Sequence, residues 1–342
     1  MLRFTILGFA TLIVGCCAIW GAFALWYQAP GGPATKASSV LLWSALSLGL
    51  LIAVWQGQAA AALPAFAAAF AALLIWWRRI APSNDRIWGD DVAQMSVGEV
   101  DGNRVTLRNV RNFDWRSNTD YSQRWETRHY DLDRLNSVDM IMSYWTIPPI
   151  AHMLISFGFD TSEHIVFSVE VRRRKGQGFS EIGGFFKEFE LSIIAADERD
   201  VIRVRTNVRG EDAYLYRLRM PLPAIRSLFL GYIDEANALV KNPRFYNTIT
   251  ANCTTLVYHM MKRIVGYLPM DYRIVFTGYL PEYVHRVGGL DDRYSFAELR
   301  TLGHISERAK KADRGGAFSA DIREGIPDAG AGDLPMRGRE PA

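Results

Sequence analysis

Three long runs without a charged residue open this chain, and they divide it before any other feature is read. Phe4–Trp26 is uncharged over 23 residues, enough at 1.5 Å rise to cross a hydrocarbon layer of roughly 30 Å. Ser38–Trp55 and Ala59–Trp77 are two more such runs, the last closed by Arg78 and Arg79. Trp55, Trp76 and Trp77 stand at segment ends, where amphipathic rings favour the membrane interface. The Gln56-Gly57-Gln58 step joins the last two runs as a tight hairpin, giving three spans (4–26, 38–55, 59–77) within residues 1–80. Ile13-Val-Gly-Cys16 has the form of a lipoprotein cleavage box, yet the apolar run continues to Trp26. That is longer than the 7–15 residues of a signal h-region. Three spans place the chain ends on opposite sides of a membrane. Arg3 weighed against Arg78 and Arg79 leans to a cytoplasmic domain by the positive-inside rule, a bias too small to decide the orientation.

Beyond this region the sequence reads as one soluble domain, residues 81–305, long enough to bury a sizeable core. Residues 306–342 are rich in Gly, Pro and charge, and are expected to be a disordered tail. The net charge of +3 is scattered among carboxylates, with no basic stripe interleaved with aromatics, so no nucleic-acid partner is expected. Of three cysteines, Cys16 and Cys17 lie in the first apolar run. The domain therefore holds one thiol, Cys253, which excludes a disulfide framework and a cysteine-based metal site. No metal or cofactor is expected.

Alternation predicts strands at Arg104–Arg111, at Phe189–Ala195, Val201–Val208 and Ala213–Met220, and in a hairpin of His152–Phe159 with His164–Arg173. Apolar residues Ile225, Leu228, Leu230, Ile233, Ala236 and Leu239 recur at helical spacing within Pro223–Lys241. A second helix is marked by Leu256, Val257, Met260, Met261, Ile264 and Val265. Asn252 is a good N-cap for it, which puts Cys253 at the first helical position.

A lone cysteine is most often a small buried hydrophobe. This position gives it another use, because the helix N-terminus stabilises a thiolate and lowers its pKa. The first-turn N–H groups could also hold a developing oxyanion. A thiolate nucleophile needs a histidine base and a polar group to orient it. His259 lies six residues along the same helix and cannot face Cys253. His129, His285 and His304 sit in charged, loop or helix-like surroundings and read as ordinary surface histidines. The other two lie on the hairpin, where side chains alternate between faces. A turn over Phe159–Glu163 pairs Gly158 with His164 and sets His152 across from Glu170 on one face. His152 is then the base and Glu170 its partner, with His164 the alternative third member.

Four runs resemble a known family: Pro148-Pro-Ile-Ala-His-Met-Leu-Ile-Ser-Phe-Gly-Phe159, Ser168-Val-Glu-Val-Arg172, Asp197-Glu-Arg-Asp200 and Tyr246-Asn-Thr-Ile-Thr-Ala-Asn-Cys-Thr-Thr255. They are similar to the N-terminal periplasmic domain of the lipoprotein N-acyltransferase Lnb, over about Pro82–Gly289. The resemblance implies a permuted papain-like (NlpC/P60-like) α+β domain, an antiparallel sheet packed on a cysteine-bearing helix, with the histidine strands ahead of that helix. It implies Cys253 as nucleophile, His152 as base and Glu170 as polar partner, in a periplasmic domain acting on a membrane lipid or lipoprotein at the inner membrane. One departure stands out: in the full-length acyltransferase the membrane helices follow this domain, whereas here they precede it. The expected activity is thiol acyl transfer or acyl hydrolysis. The alternatives are a cell-wall amidase or endopeptidase, and a non-catalytic membrane-anchored binding module.

Overall fold

The computed structural model describes residues 2–160 and 163–328. They form two compact units. The first comprises residues up to Ser83, together with Phe179–Glu190 and Phe245–Thr248. It contains three helices: α1 (Leu2–Gln28), α2 (Pro33–Ala53) and α3 (Ala59–Arg79). Between α2 and α3, Gly57 takes φ 91°, a left-handed conformation open to glycine. The chain folds back there, because Trp43 packs against Phe66 at 5.9 Å between ring centres. In a straight helix those residues would lie about 35 Å apart. Gly21 lets α1 approach closely, since a Cβ at that position would meet Trp43 Nε1 at 2.6 Å and Leu73 Cδ2 at 2.8 Å.

Phe4, Ile6, Phe9, Leu41 and Leu42 point outward and exposed, as on helices solvated by lipid rather than water. The chain is thus anchored to a membrane through its N-terminal helices. Within the same unit, Phe186 stacks on Phe23 at 5.4 Å and on Tyr27 at 5.7 Å. Lys187 Nζ donates to the carbonyls of Trp77 and Ile80 at 2.8 and 3.2 Å. This puts a cation at the C-terminal end of α3, where the helix dipole favours one.

The second unit is an α+β domain. Its strands are β1 (Val97–Asp101), β2 (Arg104–Arg111), β3 (Asp114–Trp115), β4 (Tyr121–Ser122), β5 (Trp125–Asp131), β6 (Leu135–Tyr144), β7 (Ala151–Phe159), β8 (Glu163–Arg172), β9 (Glu190–Ala196) and β10 (Asp212–Arg217). The main sheet runs β1-β2-β9-β8-β7-β6-β10, with β5 paired to β2, and is mostly antiparallel, with β2 and β9 parallel. Its helices include α4 (Glu198–Arg203), α5 (Leu222–Lys241) and α6 (Cys253–Val265). On one face, Phe157 meets Phe229 at 5.1 Å and Phe167 stacks on Tyr232 at 5.0 Å, joining the central hairpin to α5. The opposite face buries Leu154 and Val166 with Val201, Ile202, Phe318 and Ile322.

Two expectations are corrected here. Val201–Val208 is helical, forming the end of α4 and a further helical turn over Val204–Val208. Asp197 caps that helix by accepting from Arg199 N–H, and the alternating Val and Arg pattern conceals this because both arginines are paired within the fold. Residues from 306 onward are ordered through 328, with helices at Ser306–Ala312 and Phe318–Asp321. Few apolar side chains are present, but Ile305, Phe318 and Ile322 are fully buried. Arg323 adds ion pairs to Asp139 and Glu198 at 2.8 and 2.5 Å. Residues 329–342 of the expected tail, and residues 161–162 of the hairpin turn, lie outside the described residues.

Candidate active site

Cys253 is the first residue of α6 and is 6 % exposed. Asn252 holds the helix start in a capping box: its Oδ1 accepts from Thr254 and Thr255 N–H at 2.9 and 2.8 Å, while Thr255 Oγ1 accepts from Asn252 N–H at 3.0 Å. Two of the first-turn donors expected to serve an oxyanion are therefore engaged by the cap itself.

The hairpin register is the one that alternation predicts, with Gly158 opposite His164 and Leu154 opposite Ser168. Extended by one step of two, it places His152 beside Glu170, with Nε2 and Oε1 3.2 Å apart. Ser168 Oγ lies 2.7 Å from His152 Nε2 and donates to Glu170 Oε1 at 2.7 Å. Nε2 thus faces the serine and the carboxylate, which leaves Nδ1 as the ring nitrogen for the thiol. Behind Glu170 stands Arg205, 3.2 Å from Glu170 Oε1 and 3.2 Å from Glu211 Oε2. Glu211 accepts in turn from Ser143 Oγ at 2.5 Å.

These neighbours set the charge states. Burial pushes the Cys253 thiol up, but a hydrogen bond with His152, the histidine's charge and the Met153 backbone N–H outweigh it, so the thiol falls below its ordinary value. Burial alone would lower His152; the adjacent Glu170 carboxylate instead raises it to about 9. Glu170 itself lies well below the usual carboxylate range, because the imidazole and Arg205 overcome its burial. The combination favours the thiolate beside an imidazolium relative to an isolated thiol.

His164 takes no part in this array. It pairs with Gly158 at the far end of the hairpin, its Nδ1 is buried without a partner, and burial lowers its pKa. His129 bonds Thr106, His285 bonds the Tyr294 carbonyl and His304 bonds Asp212. His259 lies on α6 against Tyr258. Only His152 among the six histidines meets the thiol.

The segment that carries all three residues, 121–278, matches one family profile. That profile is the Lnb N-terminal periplasmic domain, which this segment therefore resembles. No curated protein and no solved structure matches the chain. The match supports the periplasmic placement that the resemblance implied, where the charges at Arg3, Arg78 and Arg79 had left the orientation open. The first span usually dominates orientation, and the arginine ahead of it, Arg3, agrees with the match.

Within this Lnb-like domain the run Asp197–Asp200 is a structural hub. Glu198 accepts from Ser156 and Arg323, and Asp200 from Arg111, the Phe113 N–H and Trp115 Nε1. Sequence reasoning missed three members of the site. Ser168 was visible as a same-face neighbour of Glu170. Arg205 would have emerged had Asp197 been taken as an N-cap. The contact of the Met153 N–H with the thiol had no signal in the sequence.

Proposed function

We propose that Cys253, His152 and Glu170 form a thiol active site that moves an acyl group from a lipid or lipoprotein of the inner membrane to an amine or to water. The observation that carries this reading is the thiol array next to an apolar cavity, which Thr254 and Met153, the residues following Cys253 and His152, help to line. The cavity has a volume of about 110 Å³ and is walled almost wholly by apolar side chains. Thr254, Val257, Met261 and Val265 on one face of α6 line it. They run about 16 Å along the helix at 1.5 Å per residue. Met153, whose N–H reaches the thiol, contributes its side chain to the same wall. Met140 and Met220 join it, and such unbranched, polarizable side chains adapt to a flexible occupant.

In this reading the Cys253 thiolate attacks the carbonyl carbon of an ester or amide. The Cys253 backbone N–H and the α6 dipole stabilise the tetrahedral oxyanion. As the carbon–oxygen or carbon–nitrogen bond breaks, the His152 imidazolium gives its proton to the leaving alcohol or amine. The acyl chain stays on sulfur as a thioester. An amine or water then attacks, returns a proton to neutral His152, and releases the product with the thiol pair restored. Glu170, through Ser168 and directly, keeps the ring oriented and charged. Three membrane spans would put the N-terminus in the cytoplasm and the domain in the periplasm.

A cell-wall amidase or endopeptidase would use the same three residues. The cavity weighs against it, since a peptide needs polar groups along its site. The test is mass spectrometry of lipids, lipoproteins and cell-wall fragments from cells carrying Cys253→Ser. Loss of an acylated lipoprotein or lysolipid species supports the proposal. A change confined to cell-wall peptides favours the amidase, and no change in either class removes the enzyme reading.

A further inference from the structure

The wall of the cavity between α6 and the following helix is a segment with two faces. Inward, Leu268 and Ile274 line the cavity. Outward, Met270 is 75 % exposed, Tyr267 69 %, Tyr272 62 % and Phe276 50 %. These are four large side chains within ten residues, each at least half exposed. Single exposed apolar residues are ordinary, whereas a contiguous group marks an interaction surface. Tyr272 and Phe276 pack edge-on at 6.5 Å, and Phe276 N–H donates to the Tyr272 carbonyl at 2.9 Å, so the group is preformed rather than a random excursion of the chain.

We infer that Gly266–Tyr279 is a membrane-contact segment that dips its outer side chains into the lipid interface. Three observations select lipid as the occupant. First, the side chains are tyrosine, phenylalanine and methionine, and rings with a polar tip favour the headgroup level. Second, the charge around them is basic: from Lys262 to Arg286 the chain carries Lys262, Arg263, Arg273 and Arg286 against Asp271 and Glu282. Asp271 is itself held by Arg273 and Arg286, so the uncompensated charge lies at Lys262 and Arg263, suited to anionic headgroups. Third, the chain enters this domain at Asn84, five residues after α3 ends at Arg79. Such a tether spans at most about 18 Å.

The consequence is mechanical. Thr277 Oγ1 lies 2.8 Å from Thr254 Oγ1, and Gly278 N–H donates to the Pro149 carbonyl at 3.0 Å. The segment that touches lipid is therefore fastened beside Cys253 and to the turn preceding the His152 strand. An acyl chain leaving the bilayer would pass one segment to reach the cavity. The surface itself does not depend on the thiol chemistry proposed above.

The test uses the full chain bearing Cys253→Ser, in nanodiscs of phosphatidylethanolamine and phosphatidylglycerol. The photoreactive residue benzoylphenylalanine replaces Met270, Tyr272 or, as an exposed control on β1, Val100. Lipid adducts at 270 and 272 are expected at least about tenfold above those at 100, falling as phosphatidylglycerol is withdrawn. Equal lipid yields at the three positions would overturn the proposal. So would adducts at 270 and 272 made only to another copy of the chain. Because the serine variant cannot form a thioester, neither result depends on whether the thiol reading holds.

Discussion

Replacing Glu170 with glutamine keeps the shape of the site and removes the charge that holds His152 protonated. Unit charges 3.2 Å apart interact by about 5 kcal/mol at an effective dielectric of 20, or almost 4 pKa units at about 1.4 kcal/mol each. Burial and Arg205 consume part of this, since His152 rises from 6.5 only to about 9. Glutamine leaves both of those opposing effects in place. His152 in the variant therefore falls below 6.5 and is neutral at pH 7. The thiol then loses its cationic partner, and burial drives it upward. The assay is the rate of iodoacetamide alkylation of Cys253 against pH, in a Cys16→Ala, Cys17→Ala background. In the parent, alkylation begins below the ordinary thiol value. In Glu170→Gln that onset moves up by at least about one unit, a fall of about tenfold or more in rate at pH 7. An unchanged onset would refute the electrostatic argument, whatever substrate the protein uses.

His164→Asn leaves that alkylation profile within about twofold of the parent, because His164 belongs to the far end of the hairpin; a shift as large as that of Glu170→Gln would contradict this placement. Asn252→Ala removes the capping box of α6 and lowers stability by about 1–2 kcal/mol in denaturant titration, with a rise in the Cys253 pKa. Arg323→Ala leaves the buried Glu198 carboxylate without its guanidinium, while Asp139 keeps Arg217, and costs about 3–5 kcal/mol, read by urea unfolding. Glu198 is held down at about 2, so its contribution is present above the ordinary carboxylate pKa and is lost as pH falls through about 2. In the variant its carboxyl protonates at higher pH, and the stability difference between the two proteins narrows as the solution is acidified.

The central hairpin was legible because its alternation is strict and its turn short, which fixed Gly158 opposite His164 and carried His152 to Glu170. The start of α6 was legible from Asn252 and the apolar face behind it. The helical character of Val201–Val208 was not. Its β-branched residues alternate with arginines whose partners, Glu170, Glu211 and Asp313, are distant or local in ways no spacing reveals. The C-terminal helices escaped for a related reason: one phenylalanine and two isoleucines suffice when Arg323 finds carboxylates 184 and 125 residues earlier. The apolar cavity is assembled from β6, β7, α5, α6 and the segment after it, so it exists only once the fold has closed.

The most direct test is intact-mass measurement of the purified full chain after brief exposure to phospholipid. A fatty-acyl adduct on Cys253, removed by neutral hydroxylamine and absent in His152→Ala, is the predicted result. A chain that turns over lipid with Cys253 unmodified, and still does so as Cys253→Ser, would contradict the account.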